Sequence, residues 1–196
     1  MTKISRRHFL AATGAITGSA LLSPLSEIKA ENIGISTPTV KKTRIALIGT
    51  GSRGIFMWGR DLVREYSNYI EFVGLCDINE GRVETGKRMI GVSCPTYTDF
   101  EKMMKETKPE VLIVTTMDST HHQFIIRGME LGANVITEKP MTIDEKKIQA
   151  ILDAEERTGK HCRVTFNYRY SPHRAKIWEL LRAGEIGDIT SVDFHW

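Results

Sequence analysis

The sequence predicts an α/β protein: a doubly wound, parallel-sheet domain followed by the start of a second, incomplete α+β domain. Short β-branched runs alternate with longer stretches of helical period between about residues 43 and 166, the pattern of βαβ units whose strands are covered on both faces. A glycine-rich turn joins the first such run to the first helical stretch, and no internal repeat or low-complexity tract interrupts the alternation. With 41% hydrophobic residues in 196 positions, the chain can bury one substantial core and part of another.

Taken from the amino terminus, residues 1–30 are a leader. Ser5-Arg6-Arg7-His8-Phe9-Leu10 precedes an apolar run of small residues ending at Leu25, which is too short and too rich in Gly, Ser and Thr for a stable membrane span. The pattern resembles a twin-arginine signal, whose route carries folded proteins, so the expectation is export to the periplasm. Ile28-Lys29-Ala30 is a poor small-x-small cleavage triplet, and an uncleaved leader would serve as an anchor. Residues 31–42 read as a linker. The leader holds four basic residues against one acid and accounts for the formal charge of +3, because the remainder balances at 23 against 23. A balanced body without a Lys/Arg cluster interleaved with aromatics gives no electrostatic case for nucleic acid.

Within the body, strands are predicted at residues 44–48, 70–76, 111–115, 134–137 and 161–166, with a weaker one at 95–97. Helices are predicted at 53–65, 80–90, 100–106, 120–131 and 143–158. Gly132 and Gly159 stand where left-handed helix caps belong, and Thr142 with Glu145 gives a capping-box start,. Cys76, Cys94 and Cys162 are odd in number and lack C-x-x-C spacing, so they read as ordinary buried thiols rather than disulfides or a zinc site. These elements make residues 43–166 one domain.

Residues 167–196 begin another. Asn167-Tyr168-Arg169-Tyr170 leads to Pro172 and a helix to about Ala183, with Gly184 and Gly187 as stops. Thr190, Val192, Phe194 and Trp196 then alternate with Ser191, Asp193 and His195, which predicts one strand of a second sheet. One strand makes no sheet. The expectation is therefore an amino-terminal portion of a longer protein, or a chain whose missing strands are supplied elsewhere.

Gly49-Thr50-Gly51-Ser52-Arg53-Gly54 lies between the first strand and the first helix, the context in which G-x-G-x-x-G binds a dinucleotide. Gly49 permits the tight turn, Gly51 lets the pyrophosphate approach the backbone, and Gly54 allows close helix packing, while the helix amino terminus offers N–H donors. Glycine-rich turns are common, so the loop needs a partner. Asp77 ends the second strand about two dozen residues on, placed either to accept from the adenosine ribose hydroxyls or to cap the helix beginning near Glu80. A carboxylate there repels a 2′-phosphate, and Ile78 adds no cation, so NAD is expected over NADP unless Arg53 or Arg82 swings in.

The fourth strand runs into Thr116-Met117-Asp118-Ser119-Thr120-His121-His122, and the fifth into Glu138-Lys139-Pro140. With the glycine loop, the Thr116 to His121 segment and the E-K-P run, the chain from residue 43 onward resembles the glucose-fructose oxidoreductase, inositol dehydrogenase and rhizopine-catabolism family, Gfo/Idh/MocA. The resemblance implies an NAD(P)-dependent oxidoreductase acting on a sugar or polyol, with Lys139 catalytic beside the nicotinamide and with Thr116, His121, Glu138, Lys139 and Pro140 around the cofactor. It also implies a cis peptide before Pro140, a hinge at residues 167–170 that brings Tyr168 and Arg169 toward the substrate, and homo-oligomers formed through the second domain. A desolvated lysine near a cationic nicotinamide could be lowered in pKa enough to take the hydroxyl proton. Met117 departs from the proline common in the family, which puts that loop's shape in question. Adjacent residues on a helix diverge, so His121 and His122 are not expected to share a metal. Two alternatives stay open: a related glycosidase that retains NAD, a group generally lacking E-K-P, and a cofactor-binding module without catalysis.

Overall fold

The computed structural model describes residues 41–193 and 195. The leader, the linker as far as residue 40, Phe194 and Trp196 lie outside the described residues. Six strands, β1 (Thr43–Ile48), β2 (Ile70–Cys76), β3 (Thr96–Tyr97), β4 (Val111–Val114), β5 (Asn134–Thr137) and β6 (Cys162–Val164), form one sheet in the order β3-β2-β1-β4-β5-β6. Every pairing is parallel. The helices are α1 (Arg53–Asp61), α2 (Leu62–Tyr66), α3 (Glu80–Ile90), α4 (Phe100–Thr107), α5 (His121–Glu130), α6 (Glu145–Thr158) and α7 (Pro172–Arg182). The chain builds outward from β1 to β3 and then crosses to β4, so the direction of winding reverses between β1 and β4. Such a switch point opens a crevice at the carboxyl ends of those strands.

The period-2 alternation of β1 feeds two cores. Ile45 and Leu47 pack with Ile55, Leu75, Val83 and Ile113 on one face, while Ala46 and Ile48 pack with Met103, Leu112, Val114 and Ile125 on the other. Burial on both faces explains why these strands read as nearly continuous apolar runs. Leu47 and Leu112 are fully buried, and truncating either to Ala would cost about 2–5 kcal/mol.

Several boundaries differ from the sequence expectation. The predicted helix 53–65 divides, with α1 wound as a π-helix before α-helical geometry resumes in α2. Periodicity alone does not distinguish the two windings. The fourth strand ends at Val114; the Thr115 amide still donates to the Ile48 carbonyl at 2.9 Å, and its hydroxyl donates to the Gly49 carbonyl at 2.6 Å. The capping box at Thr142 and Glu145 does not form. Asp144 caps α6 instead, accepting from the Lys147 amide at 3.0 Å, while Thr142 is buried with its hydroxyl unpartnered. Residues 138–143 form the turn from β5, so the first acceptor within reach of the third helical amide is Asp144. Gly132 and Gly159 take positive φ of 95° and 64°. Residues 189–193 form no strand, and Val192 is 81% exposed. A strand exists through its ladder, and among the described residues no neighbour offers one.

Candidate functional site

The glycine loop is shaped by its contact with β4. Gly49 has φ of 92°, and a Cβ there would stand 2.6 Å from the Thr115 carbonyl, so neither the dihedral nor the space admits a side chain. A Cβ on Gly54 would stand 2.2 Å from the Gly49 carbonyl oxygen. Gly51 differs, with nothing within 4 Å of its Cβ position. Two glycines therefore close the turn, and the third leaves backbone open to the crevice. Ser52 stands at the start of α1 without a side-chain cap bond.

One cavity, of about 380 Å³, is bounded by Gly49, Gly51, Asp77, Ile78, Met117 and Phe124, among others. Asp77 is 5% exposed. Its Oδ2 accepts from the Thr50 amide at 2.8 Å and the Thr50 hydroxyl at 3.0 Å, and its Oδ1 from the Asn79 amide at 3.0 Å. Helix α3 is capped by Asn79, so the capping role considered for Asp77 falls to its neighbour. A carboxylate has about four acceptor sites, and the three protein donors leave one for a ligand hydroxyl. Thr50 is fully buried and spends both donors on Asp77, which makes it a support for that carboxylate instead of a wall of the cavity. Arg82 approaches Asp77 Oδ1 at 3.9 Å. Arg53 is committed elsewhere.

A second cavity, of about 640 Å³, shares Thr115 and Thr116 with the first and is bounded further by Arg53, Asp118, His121, Glu138, Lys139, Phe166, Asn167 and Tyr168. Glu138 is 6% exposed, and its Oε1 accepts from Arg53 Nε at 2.9 Å and the Trp58 indole nitrogen at 2.8 Å. The Lys139–Pro140 bond is cis. The Pro140 carbonyl meets His121 Nδ1 at 2.9 Å, and the Thr116 carbonyl meets His121 Nε2 at 3.1 Å. Each nitrogen of this buried ring thus faces a backbone carbonyl, and His121 packs between the Thr116 loop and the Pro140 turn. Lys139 itself is exposed, standing between two pinned neighbours.

Met117 settles the question raised by its departure from proline. Its φ of −71° and ψ of 141° lie where proline would sit, so the loop keeps that course without the ring. His122 does not reach the cavity, and burial lowers its pKa. The cysteines are free, with burial pushing the Cys76 and Cys162 thiols up to about 12 and Cys94 to about 11. Tyr168 borders the second cavity and carries the Arg174 guanidinium over its ring at 3.6 Å. Arg169 is not brought there and lies 5.7 Å from the Phe166 ring. Sequence reasoning missed Trp58, Thr115, Phe166 and Asn167. Thr115 carries a signal, being the last residue of a buried run facing the glycine loop, whereas Trp58 depends on a winding that the sequence does not announce.

The donors and the open Gly51 backbone at the switch point fit a dinucleotide. The comparisons with known proteins agree with that fit. A Bacillus subtilis protein provisionally named an oxidoreductase, YteT, is 35% identical over 78% of this chain and 36% of its own length. An Akkermansia muciniphila protein named Glycosyl hydrolase family 109 protein 1 is 32% identical over 80% of this chain and 34% of its own. The crystal structure of myo-inositol 2-dehydrogenase from Lactobacillus plantarum superposes with a TM-score of 0.68 at 25% identity, covering 76% of this chain and 43% of that one. The chain thus spans between about a third and just under half of the length of the curated relatives it matches. The family model described as "Oxidoreductase family, NAD-binding Rossmann fold" matches residues 43–166, and with the fold, the glycine loop and the E-K-P run in place, the chain belongs to the Gfo/Idh/MocA family.

Proposed function

We propose that this protein, at full length, is an NAD-dependent oxidoreductase that removes hydride from a carbon bearing a secondary hydroxyl of a sugar or polyol, and that residues 43–166 supply its cofactor site and one of its proton-handling groups. The observation that carries the reading is the position of Lys139, an exposed amine on the cavity that continues from the glycine loop, fixed between Glu138 and Pro140. A bound nicotinamide would supply the hydride acceptor. The protein must then take the hydroxyl proton, and Lys139, on the cavity, is the group assigned to take it. Gly51, Ser52 and the start of α1 present backbone to the phosphates, Asp77 accepts from the adenosine ribose, and Thr116 borders both ends. Arg53 and Glu138 form the wall beside Lys139, and Tyr168 faces the substrate side. The test is product analysis: NADH accumulating with a free sugar or cyclitol supports the reading, and turnover without dinucleotide reduction contradicts it.

One observation favours a second reading, the 32% identity to a glycosyl hydrolase family 109 protein. A glycosidase retaining NAD would cleave a glycoside at unchanged net redox state, whereas the E-K-P run favours the dehydrogenase. The same product analysis separates them. We further propose export through the twin-arginine route, supported by Ser5-Arg6-Arg7-His8-Phe9-Leu10. No helix among the described residues is long and apolar enough to cross a membrane. Replacing both arginines by lysine should leave the protein in the cytoplasmic fraction, and unchanged export would remove this proposal. Assembly into homo-oligomers through the second domain is proposed on the family resemblance alone.

A further inference from the structure

Glu138 is fixed by two donors from a single helix whose side chains, in ordinary geometry, would not reach one atom. Arg53 and Trp58 are five residues apart. On an α-helix of 3.6 residues per turn their side chains would diverge by roughly 140°, and one would face away from β5. A π-helix closes its hydrogen bonds between residues five apart, so such residues lie one above the other. Helix α1 is wound this way over Arg53–Asp61, and the Arg53 Nε and Trp58 Nε1 atoms converge on the same Glu138 oxygen at 2.9 and 2.8 Å. The winding is accommodated where α1 crosses α3, at Gly59, whose Cβ would stand 2.4 Å from the Ile90 side chain.

We propose that Trp58 is a positioning residue: with Arg53 it locks the Glu138 carboxylate and thereby sets the place of Lys139, the next residue along. The inference rests on the reading of Lys139 as the proton acceptor. The rest of the turn is held independently, the Glu138 amide donating to the Val114 carbonyl at 3.1 Å and His121 meeting the Pro140 carbonyl at 2.9 Å. Thr137 Oγ1 also reaches the Glu138 carbonyl at 3.3 Å, but the Glu138 side chain itself is held by Arg53 and Trp58, and one of these two donors is an indole outside every motif of the sequence. Because Arg53 belongs to the glycine loop, the same clamp joins the phosphate end of the crevice to the lysine.

The test is a double-mutant cycle of Trp58→Phe and Glu138→Ala in the full-length protein, with two readouts. The first is the rate at which Lys139 is acetylated by acetic anhydride, read by peptide mass spectrometry against Lys146 and Lys147 as internal references. The second is kcat for NADH formation alongside the Kd of NAD. Trp58→Phe should change Lys139 reactivity by about twofold or more, the low end of coupling within one network, and lower kcat roughly 10- to 100-fold, with the Kd of NAD held within about twofold. In the Glu138→Ala background it should change neither further. Losses that multiply, or unchanged Lys139 reactivity in Trp58→Phe, would overturn the proposal, because a packing role alone adds independently of Glu138. If the unmodified protein forms no NADH while Lys139 reactivity follows the cycle, the positioning stands and the catalytic reading fails.

Discussion

At the Asp77 end of the crevice, the contacts join neighbouring strand ends: the Gly49 amide donates to the Cys76 carbonyl at 2.9 Å, and Thr50 donates twice to Asp77. At the Lys139 end they reach across the domain, with Arg53 and Trp58 joined to Glu138 over 85 and 80 positions of sequence. The first cavity is the smaller, about 380 Å³ against 640 Å³, and is walled by Ile48, Ile78, Phe100 and Phe124. The second is bordered by Arg53, Asp118, Glu138 and Lys139. Under the proposed function the difference is a division of labour: one end would grip a ligand by shape and a single carboxylate, and the other would hold a charged group in place for chemistry.

The largest effect should come from separating the two ends. Lys139→Ala in the full-length protein should lower kcat by about 10²- to 10⁴-fold, the usual range for a lost acid–base group, with NAD affinity changed less than about threefold. Steady-state kinetics beside a binding titration check this. Affinity collapsing together with turnover would show that the two ends are not separable.

Asp77→Ala addresses the other end. It removes the acceptor for the ribose and leaves two Thr50 donors without their partner, so NAD affinity should fall about 10- to 100-fold, equivalent to roughly 1.4–3 kcal/mol. The loss should be much smaller for NADP, whose 2′-phosphate no longer meets a carboxylate and can use Arg82. Equal losses for both dinucleotides would mean that Asp77 only supports the loop.

These two ends also mark what was legible in the sequence. The glycine loop and Asp77 were readable because each sits at a strand end and acts through neighbours that the βαβ order supplies. Lys139 was readable only through the E-K-P resemblance, since an isolated lysine after a strand has no distinguishing pattern. Trp58 was not readable, because its role follows from π winding, and the hydrophobic pattern of residues 53–65 suits an α-helix equally well. The displaced cap at Asp144 and the absent strand at residues 189–193 have different causes. Asp144 caps through a bond only three residues long, a local signal that Thr142 merely competed with, whereas a strand depends on what lies opposite in space, which local spacing does not encode.

A smaller effect concerns pH. Burial raises the folded pKa of Cys76 to about 12, with the neighbouring Asp77 adding to the shift, above an unfolded thiol near 8.5. The folded state thus prefers the protonated thiol. Its contribution is complete below about pH 8.5 and is lost as pH rises toward the folded value. Cys94 and Cys162 act in the same direction. Urea midpoints should therefore decline from pH 8 to pH 10, and iodoacetamide at pH 8 should leave all three thiols unmodified until the chain unfolds. Rapid labelling of Cys76 alone would show the Asp77 end to be more open than its lining implies.

Smallest is Met117→Pro, on the rim of the same cavity. The backbone already holds φ of −71° there, so the substitution should raise stability by about 0.4–1 kcal/mol by restricting the unfolded chain, read as a small increase in Tm. A decrease would show that this loop needs freedom that proline removes.

Titration calorimetry of the full-length protein with NAD and with NADP tests the central claim most directly. The crevice between β1 and β4, read as an NAD site governed by Asp77, predicts one binding event per chain with NAD at least about tenfold tighter than NADP, a difference of roughly 1.4 kcal/mol. Absence of binding by either dinucleotide, or equal affinity for both, would contradict it.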